Sequence, residues 1–430
     1  MGQYIFQCQE CGLIHKQEII PNINTDALYK HLICPRCRDE TSHLWFEKED
    51  DLYEMYNLNI DEKYFFYKKH NTKWRERWRN MANTFNFIGK IVPIKDTDKF
   101  KGYTETIFDS GWMIQRLRFN LVAGDNRHLI EISAGRWKDE NKNSEVYTFD
   151  SDGNKIQIPW ADRLEEETIK RVAGYRLYTI DTDTYTHRNE LRNEGKTEEL
   201  EASQKKRRHY IVGSDFLDFA KKVVYSEKAK NMLFRIKGNV NYTYNEKAER
   251  YYESYEANKI ERVEDDKAPQ SNVTVDFYYK PGFIEKDLSD NNKAILSGFS
   301  KFYDGATKGN YFSPTTIIMR ENETKIDALI DLLNDFDEDT VQHILLLCEA
   351  IDGAQKRDIK PEEINDRAKK LIAAGLMTEE QAIRNAGGQT YGDNIRELRY
   401  KDISKENEPT EYTVEFLTKK PQVDIFSDGI

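Results

Sequence analysis

The chain has 430 residues, 38% of them hydrophobic and 33% charged, with a formal net charge of -11 and five cysteines. That length sets an expectation of two or three structural units. No run of about 18 apolar residues offers a membrane span, residues 1–8 lack the basic start and apolar stretch of a secretory signal, and four cysteines in paired Cys-x-x-Cys spacing plus a lone Cys348 are not a disulfide framework, so a soluble intracellular protein is expected.

The charge is unevenly placed. Residues 321–430 hold 25 Asp and Glu against 14 Lys and Arg, whereas the preceding 320 hold 51 of each sign. Acid gathered in the last quarter leaves room for basic surfaces elsewhere, and suits a tail that competes with nucleic acid or recruits partners.

In chain order, residues 1–47 read as short strands around two knuckles, Cys8-x2-Cys11 and Cys34-x2-Cys37, separated by 22 residues. Four thiolates satisfy tetrahedral Zn²⁺ and leave no open position for a substrate, so the predicted ribbon holds a structural metal. For so small a module the metal supplies most of the folding free energy, on the order of 10 kcal/mol. A redox dithiol needs only one such pair, and an iron site shares the geometry; His15 and His31 read as surface histidines. Residues 48–85 are predicted to form a helical linker, with Trp74 and Trp78 on one face. Its stretch 63–79 carries seven Lys and Arg against the single acid Glu76.

From residue 86 the pattern changes to strands, at 87–95, 113–122, 128–133, 176–181, 233–244, 251–263, 273–279 and 295–303, short, β-branched or aromatic, and separated by Gly, Asp and Asn. The charged stretch 186–209 is expected to be a loop or an extended helix, and 214–225 a helix capped by Ser214 or Asp215. Residues 321–400 are read as helical: Ile326, Leu329, Ile330 and Leu333, then Val341, Ile344, Leu345 and Cys348, keep apolar residues three and four apart. Residues 401–430 read as an acidic flexible tail. No internal repeat is evident. The predicted class is therefore mainly β with α, a β core over 86–320 between an N-terminal ribbon and a C-terminal helical segment.

The most informative stretch is 233–244 with 251–262, two strands flanking a charged hairpin loop. Alternation puts Phe234, Ile236, Gly238 and Val240 on one face and Arg235, Lys237, Asn239 and Asn241 on the other, and Gly238 suits a tight bend. This pair resembles the late strands of the oligonucleotide/oligosaccharide-binding (OB) barrel of bacterial single-stranded DNA-binding proteins. Residues 87–92, Phe-Ile-Gly-Lys-Ile-Val, are similar to that family's first strand, and 112–122 followed by Gly124-Asp125-Asn126 to its next hairpin. Taken in order with the Asp109-Ser-Gly-Trp112 and Ala134-Gly-Arg-Trp137 steps, the Gly353-Ala-Gln-Lys356 step and the Gly387-Gly-x-x-Tyr-Gly392 step, residues 86–303 resemble the large single-stranded DNA-binding proteins of phages of Gram-positive bacteria. The ribbon is a departure from that pattern.

The resemblance implies an OB-fold core that coats and protects single strands during phage-type replication or recombination, and no catalytic activity. Sequence-tolerant binding needs cations for phosphates and aromatic faces for bases; Trp112, Arg116, Arg118 and Asn120 share a strand face, and Trp137, Arg235, Lys237, Asn239, Tyr242, Tyr244, Tyr251, Tyr252 and Tyr255 are the other candidates. The end of the chain, residues 423–430, is similar to the acidic tips by which such proteins recruit replication and repair enzymes, although Phe426 is followed by four further residues. Phosphate loops, nucleophile elbows and paired metal-binding histidines are absent from the sequence in credible context. The competing readings are a module that docks on and inhibits a host enzyme, a non-catalytic subunit of a replication complex, and a nuclease or primase component that reads template with the ribbon.

Overall fold

The computed structural model describes four strands within residues 2–46, and residues 83–421 with breaks at 99, 288–289, 291, 305–306, 337–338, 359–365, 374–376, 379–380 and 383–388. The chain divides into two compact units, Met1–Ala82 with Tyr185–Gln204, and Asn83–Thr184 with Lys205–Ile430. In the first, β1 (Gly2–Cys8), β2 (Ile14–Ile19), β3 (Tyr29–Ile33) and β4 (Glu40–Phe46) form one antiparallel sheet in the order β2-β1-β4-β3. Cys8 ends β1, but Cys11, Cys34 and Cys37 lie outside the described residues, as does the expected linker helix up to residue 82. The charged stretch at 186–209 is two helices, Tyr185–Asn193 and Thr197–Gln204, followed by a strand.

The second unit begins with β5 (Thr84–Pro93), β6 (Tyr103–Ile107), β7 (Trp112–Ala123), β8 (Asn126–Trp137), β9 (Glu145–Phe149), β10 (Lys155–Pro159), β11 (Tyr178–Asp181), β12 (Arg207–Tyr210), β13 (Leu233–Asn245) and β14 (Arg250–Arg262). Strand β5 pairs with β7, β7 with β8, β8 in parallel with β14, β14 with β13, and β13 with β5. The circuit closes a five-stranded barrel whose third and fifth strands run parallel, with the helix Gly213–Val224 between the third and fourth strands. This is the OB arrangement.

The same circuit recurs. Strands β15 (Gln270–Tyr279), β16 (Ile284–Lys286), β17 (Lys293–Asp304), β18 (Gly309–Arg320), β19 (Gln342–Asp358) and β20 (Gln389–Pro409) follow. Strand β15 pairs with β17, β17 with β18, β18 in parallel with β20, β20 with β19, and β19 with β15. The helix Glu323–Asn334 again separates the third and fourth strands, its first turn capped by the Asn322 side chain. The two first strands, β5 and β15, pair antiparallel and join the barrels in one sheet. The core expected over 86–320, for which the sequence leaves the number of barrels open, is thus the first barrel and part of a second.

Two expectations fail here. Val341, Ile344, Leu345 and Cys348 do not belong to a helix: Ile344 to Cys348 lie in β19, and Val341 immediately precedes it. Ile344, Leu345, Leu346 and Cys348 are all buried, and a strand covered on both faces reads as a continuous apolar run in which helical spacing is also present by chance. Nor is residue 401 the start of a flexible tail, because β20 continues to Pro409 and a short helix, Val414–Leu417, follows; residues 422–430 lie outside the described ones.

One apolar cluster runs through both barrels, built from alternate residues such as Phe85 and Phe87, Leu117, Phe119 and Leu121, and Val273, Val275 and Phe277. In β13 the alternation read from sequence holds, Phe234, Ile236 and Val240 being buried. A register shift falls between Lys237 and Gly238, and a Cβ on Gly238 would stand 1.9 Å from the Glu256 carbonyl oxygen. The helix expected at 214–225 starts at Gly213 after Val212, with no side-chain cap; Asp215 instead accepts from Arg163 at 2.8 Å. His128 sits where the barrels meet. It is buried, stacks on Phe87 at 4.2 Å and shares a 2.7 Å hydrogen bond with Ser271, which begins the second barrel. Burial, with the Arg396 charge added, holds its pKa down at about 4.

Gly238→Ala is expected to destabilise the protein by about 1–3 kcal/mol or more, through backbone collision, whereas Gly174→Ala, in open space, should stay within about 0.5 kcal/mol; urea denaturation followed by tyrosine and tryptophan emission compares them. His128 is folded in its neutral form, so the unfolded chain alone takes up a proton as pH falls from 6.5 towards 4, and stability, full above that window, declines through it. His128→Gln should flatten this part of the Tm-versus-pH profile, removing a pH-dependent loss of roughly 3 kcal/mol.

Candidate nucleic-acid interface

In OB barrels the second and third strands, rimmed by the loops joining strands 1–2 and 4–5, present the ligand face. In the first barrel these strands are β7 and β8. Residues 113, 115, 117, 119 and 121 of β7 point inward and are buried, which turns Trp112, Ile114, Arg116, Arg118 and Asn120 outward, as alternation predicts. Across the pair stand Trp137, Gly135, Ser133, Glu131 and Leu129 respectively.

Trp112 and Trp137 meet edge to face, ring centres 5.3 Å apart. Trp112 lies flat across the strand because Gly135 beneath it has no side chain: a Cβ there would come within 2.4 Å of the indole. Trp137 is held by Asn143, whose side chain accepts from its backbone N–H and donates to its carbonyl, both at 3.1 Å. Lys142 Nζ stands 5.4 Å above the Trp137 ring.

The loop between β5 and β7 folds back as an arm. Strand β6 pairs along the edge of β7, placing Thr104 beside Arg116, and its turn brings Phe108 to Trp112, where the Phe108 N–H donates to the Trp112 carbonyl at 2.9 Å. Ile107 and Phe108 are each 48% exposed, an apolar tip next to the tryptophan pair. On the same face Arg118 lies 5.6 Å over the Phe100 ring. Electrostatically the face is mixed. Glu131 accepts from Arg118 at 2.7 Å and lies 3.9 Å from Arg116, whose side chain is 48% exposed. Glu256, partner of Glu131 across the β8–β14 pair, is held above the usual carboxylate range by burial, with Glu131 adding repulsion and the hydrogen bond from Asn241 opposing it.

The other predicted contacts fall into three places. Tyr244 and Tyr251 pair at 4.9 Å near the end of the β13–β14 arm, and Tyr252, 42% exposed, carries the Arg250 guanidinium 4.5 Å above its ring. Arg235, Lys237 and Asn239 lie on the outer face of β13, between β5 and β14, and the structure does not bring them to the β7–β8 face; Lys237 stands 3.9 Å from Glu261, and Arg235 Nε is buried without a hydrogen-bond partner. Tyr242 and Tyr255 are core residues, a correction to their expected role. Tyr242 shares the inward parity of Phe234, Ile236 and Val240 and packs on Phe302, while Tyr255 packs on Phe85, Phe87 and His128. Burial drives both phenol pKa values up, and a ring enclosed on both sides has no face for a base.

The second barrel presents the equivalent strands differently. On β17, β18 and β15 respectively, Phe299, Phe312 and Tyr278 lie beneath Tyr412, Val414 and Leu417 from the end of the chain. Tyr412 meets Phe312 at 5.1 Å and stacks on Phe416 at 5.2 Å, and Lys301 donates to the Tyr412 hydroxyl at 2.9 Å. Lys420 then reaches the first barrel's arm, 5.7 Å from the Tyr244 ring and 3.9 Å from Glu249. This part of the second barrel's strand 2–3 face is covered by the chain itself, whereas among the described residues nothing equivalent covers that of the first. Sequence reasoning missed this cover and the β6 arm; the apolar pair Ile107-Phe108 ahead of an Asp-Ser-Gly turn was the available signal for the arm.

No family model matches the chain, and no curated protein does. Among solved structures, crystal structures of the single-stranded DNA binding protein from Thermus aquaticus, the wild type and a deletion mutant, match at 9% identity with a TM-score of 0.27. Each match covers 63% of this chain, with 85% and 87% of those chains covered respectively. A likeness at that TM-score carries no argument, and the barrels are assigned from this chain's own strand pairing.

Proposed function

We propose that the protein binds single-stranded DNA across the β7–β8 face of its first barrel. The observation that supports this most is the Trp112–Trp137 pair beside Arg116 and Arg118 on a strand 2–3 face that no described element covers as the chain end covers the second. Stacking on such rings contributes roughly 1–3 kcal/mol per base whatever the base, and the arginines supply phosphate contacts. Ile107 and Phe108 form one rim, and Tyr244, Tyr252 and Arg250 on the β13–β14 arm extend the reading towards the other. Arg235, Lys237 and Asn239 would serve only a strand that continues around the barrel.

The sequence supports further parts of this reading. It is a protein that coats single strands in phage-type replication or recombination, carries Zn²⁺ on Cys8, Cys11, Cys34 and Cys37, and recruits replication or repair proteins through its acidic C-terminal end.

Binding to a labelled oligothymidine followed by anisotropy tests the interface. Trp112→Ala and Trp137→Ala should each weaken it by about tenfold. Arg116→Ala should lower the slope of log affinity against log salt by about one. Wild-type affinity in the double tryptophan variant would contradict the proposal.

A further inference from the structure

Between Trp137 and the helix Gly213–Val224 the first barrel carries an insertion that begins with the β9–β10 hairpin. One face of this hairpin has a clear structural role. Val146, Ile156 and Ile158 pack with Ile169, Val172 and Ile211 as a small core of their own. Among the described residues the opposite face has no such cover. There, by alternation and register, stand Tyr147 and Phe149 on β9 with Gln157 and Lys155 opposite them on β10.

Tyr147 is 60% exposed, and Tyr175, from the turn before β11, is 57% exposed. Each ring has its own cation. Lys155 Nζ lies 5.0 Å from the Tyr147 ring centre, and the Arg176 guanidinium stands 4.8 Å over Phe149 and 5.4 Å over Tyr175. The one carboxylate hydrogen-bonded to these rings, Glu145, accepts from the Tyr147 hydroxyl at 3.0 Å, at the ring's edge. Asp150 in the turn is satisfied locally by the Asp152 and Asn154 backbone N–H groups.

Rings two residues apart on one strand face stand about 6.6 Å apart, roughly twice the 3.4 Å rise of stacked bases. That spacing suits an unstacked strand. Cations between exposed rings suit a ligand that offers a phosphate with each flat base. The hairpin also continues directly from the candidate interface: the chain leaves Trp137, passes Lys142 over its ring and Asn143 bracing its backbone, and enters β9.

We infer that the exposed face of the β9–β10 hairpin, with Tyr147, Phe149, Lys155, Tyr175 and Arg176, is a second contact for single-stranded nucleic acid, lengthening the track that starts at Trp112 and Trp137. It rests on the reading of the β7–β8 face as the primary contact. The full-length protein is titrated with an oligothymidine of about 30 nucleotides and with one of about 8, within the span of a single barrel. Tyr147→Ala with Tyr175→Ala should weaken the long oligonucleotide by about tenfold or more and leave the short one unchanged, while the corresponding Phe variants, which keep the rings, bind as the wild type does. Both rings are largely exposed, so their removal opens no core. Undiminished binding of the long oligonucleotide, or an equal loss on both lengths, would overturn the inference. Failure of the underlying reading looks different, as Trp112→Ala then binds both lengths like the wild type.

Discussion

Strand β5 uses both of its edges and has three neighbours. Along residues 84–90 one edge pairs with β13, while the other pairs first with β15 and then, from Lys90, with β7. Strand β15 repeats the arrangement with β19, β5 and β17. Both barrels are therefore closed through strands that also hold them together, and neither first strand presents the long free edge that invites pairing with another chain. The seam is packed as well as hydrogen-bonded: His128 bridges to Ser271, and Asn126 accepts from the Asp352 N–H. The cost is a buried imidazole that must stay neutral.

Two barrels of one topology differ in what lies on their strand 2–3 faces. The second closes part of its strand 2–3 face with Tyr412, Val414 and Leu417, and the acid-rich last quarter of the chain forms its helix, its final strands and this cover. The first leaves Trp112, Trp137, Arg116 and Arg118 outward, in the part of the sequence where acids and bases balance. Net charge alone would have argued against a nucleic-acid ligand; its distribution over the two barrels removes that objection.

The legible parts of the sequence were those with strict two-residue alternation. In β7 the outward facing of Trp112, Arg116, Arg118 and Asn120, and in β13 the facing of residues 234–241, could be read from sequence, and Gly238 could be marked as a special backbone position, although as a tight bend rather than as the close approach to the Glu256 carbonyl that it makes. The second barrel was hidden because β19 is apolar on both faces, which erases the period, and because β20, among whose described side chains only Leu398 is buried, runs through a stretch crowded with charge. The failure of Tyr242 and Tyr255 as base contacts was foreseeable: Tyr242 keeps the parity of the buried residues Phe234, Ile236 and Val240, and aromatic residues in strands belong more often to the core than to a groove. The tail's ordered start was not legible, since Tyr412, Val414 and Leu417 acquire meaning only against Phe312 and Tyr278, about 100 residues or more away in sequence.

Amide hydrogen exchange of the full-length protein, free and with a saturating oligothymidine, tests most directly the claim that one barrel binds while the other is closed. The account predicts slowed exchange over β6, β7 and β8, and little change over β17, β18 and the Val414–Leu417 helix. Protection centred on β17 and β18, with faster exchange in that helix as the cover lifts, would contradict it and transfer the binding face to the second barrel.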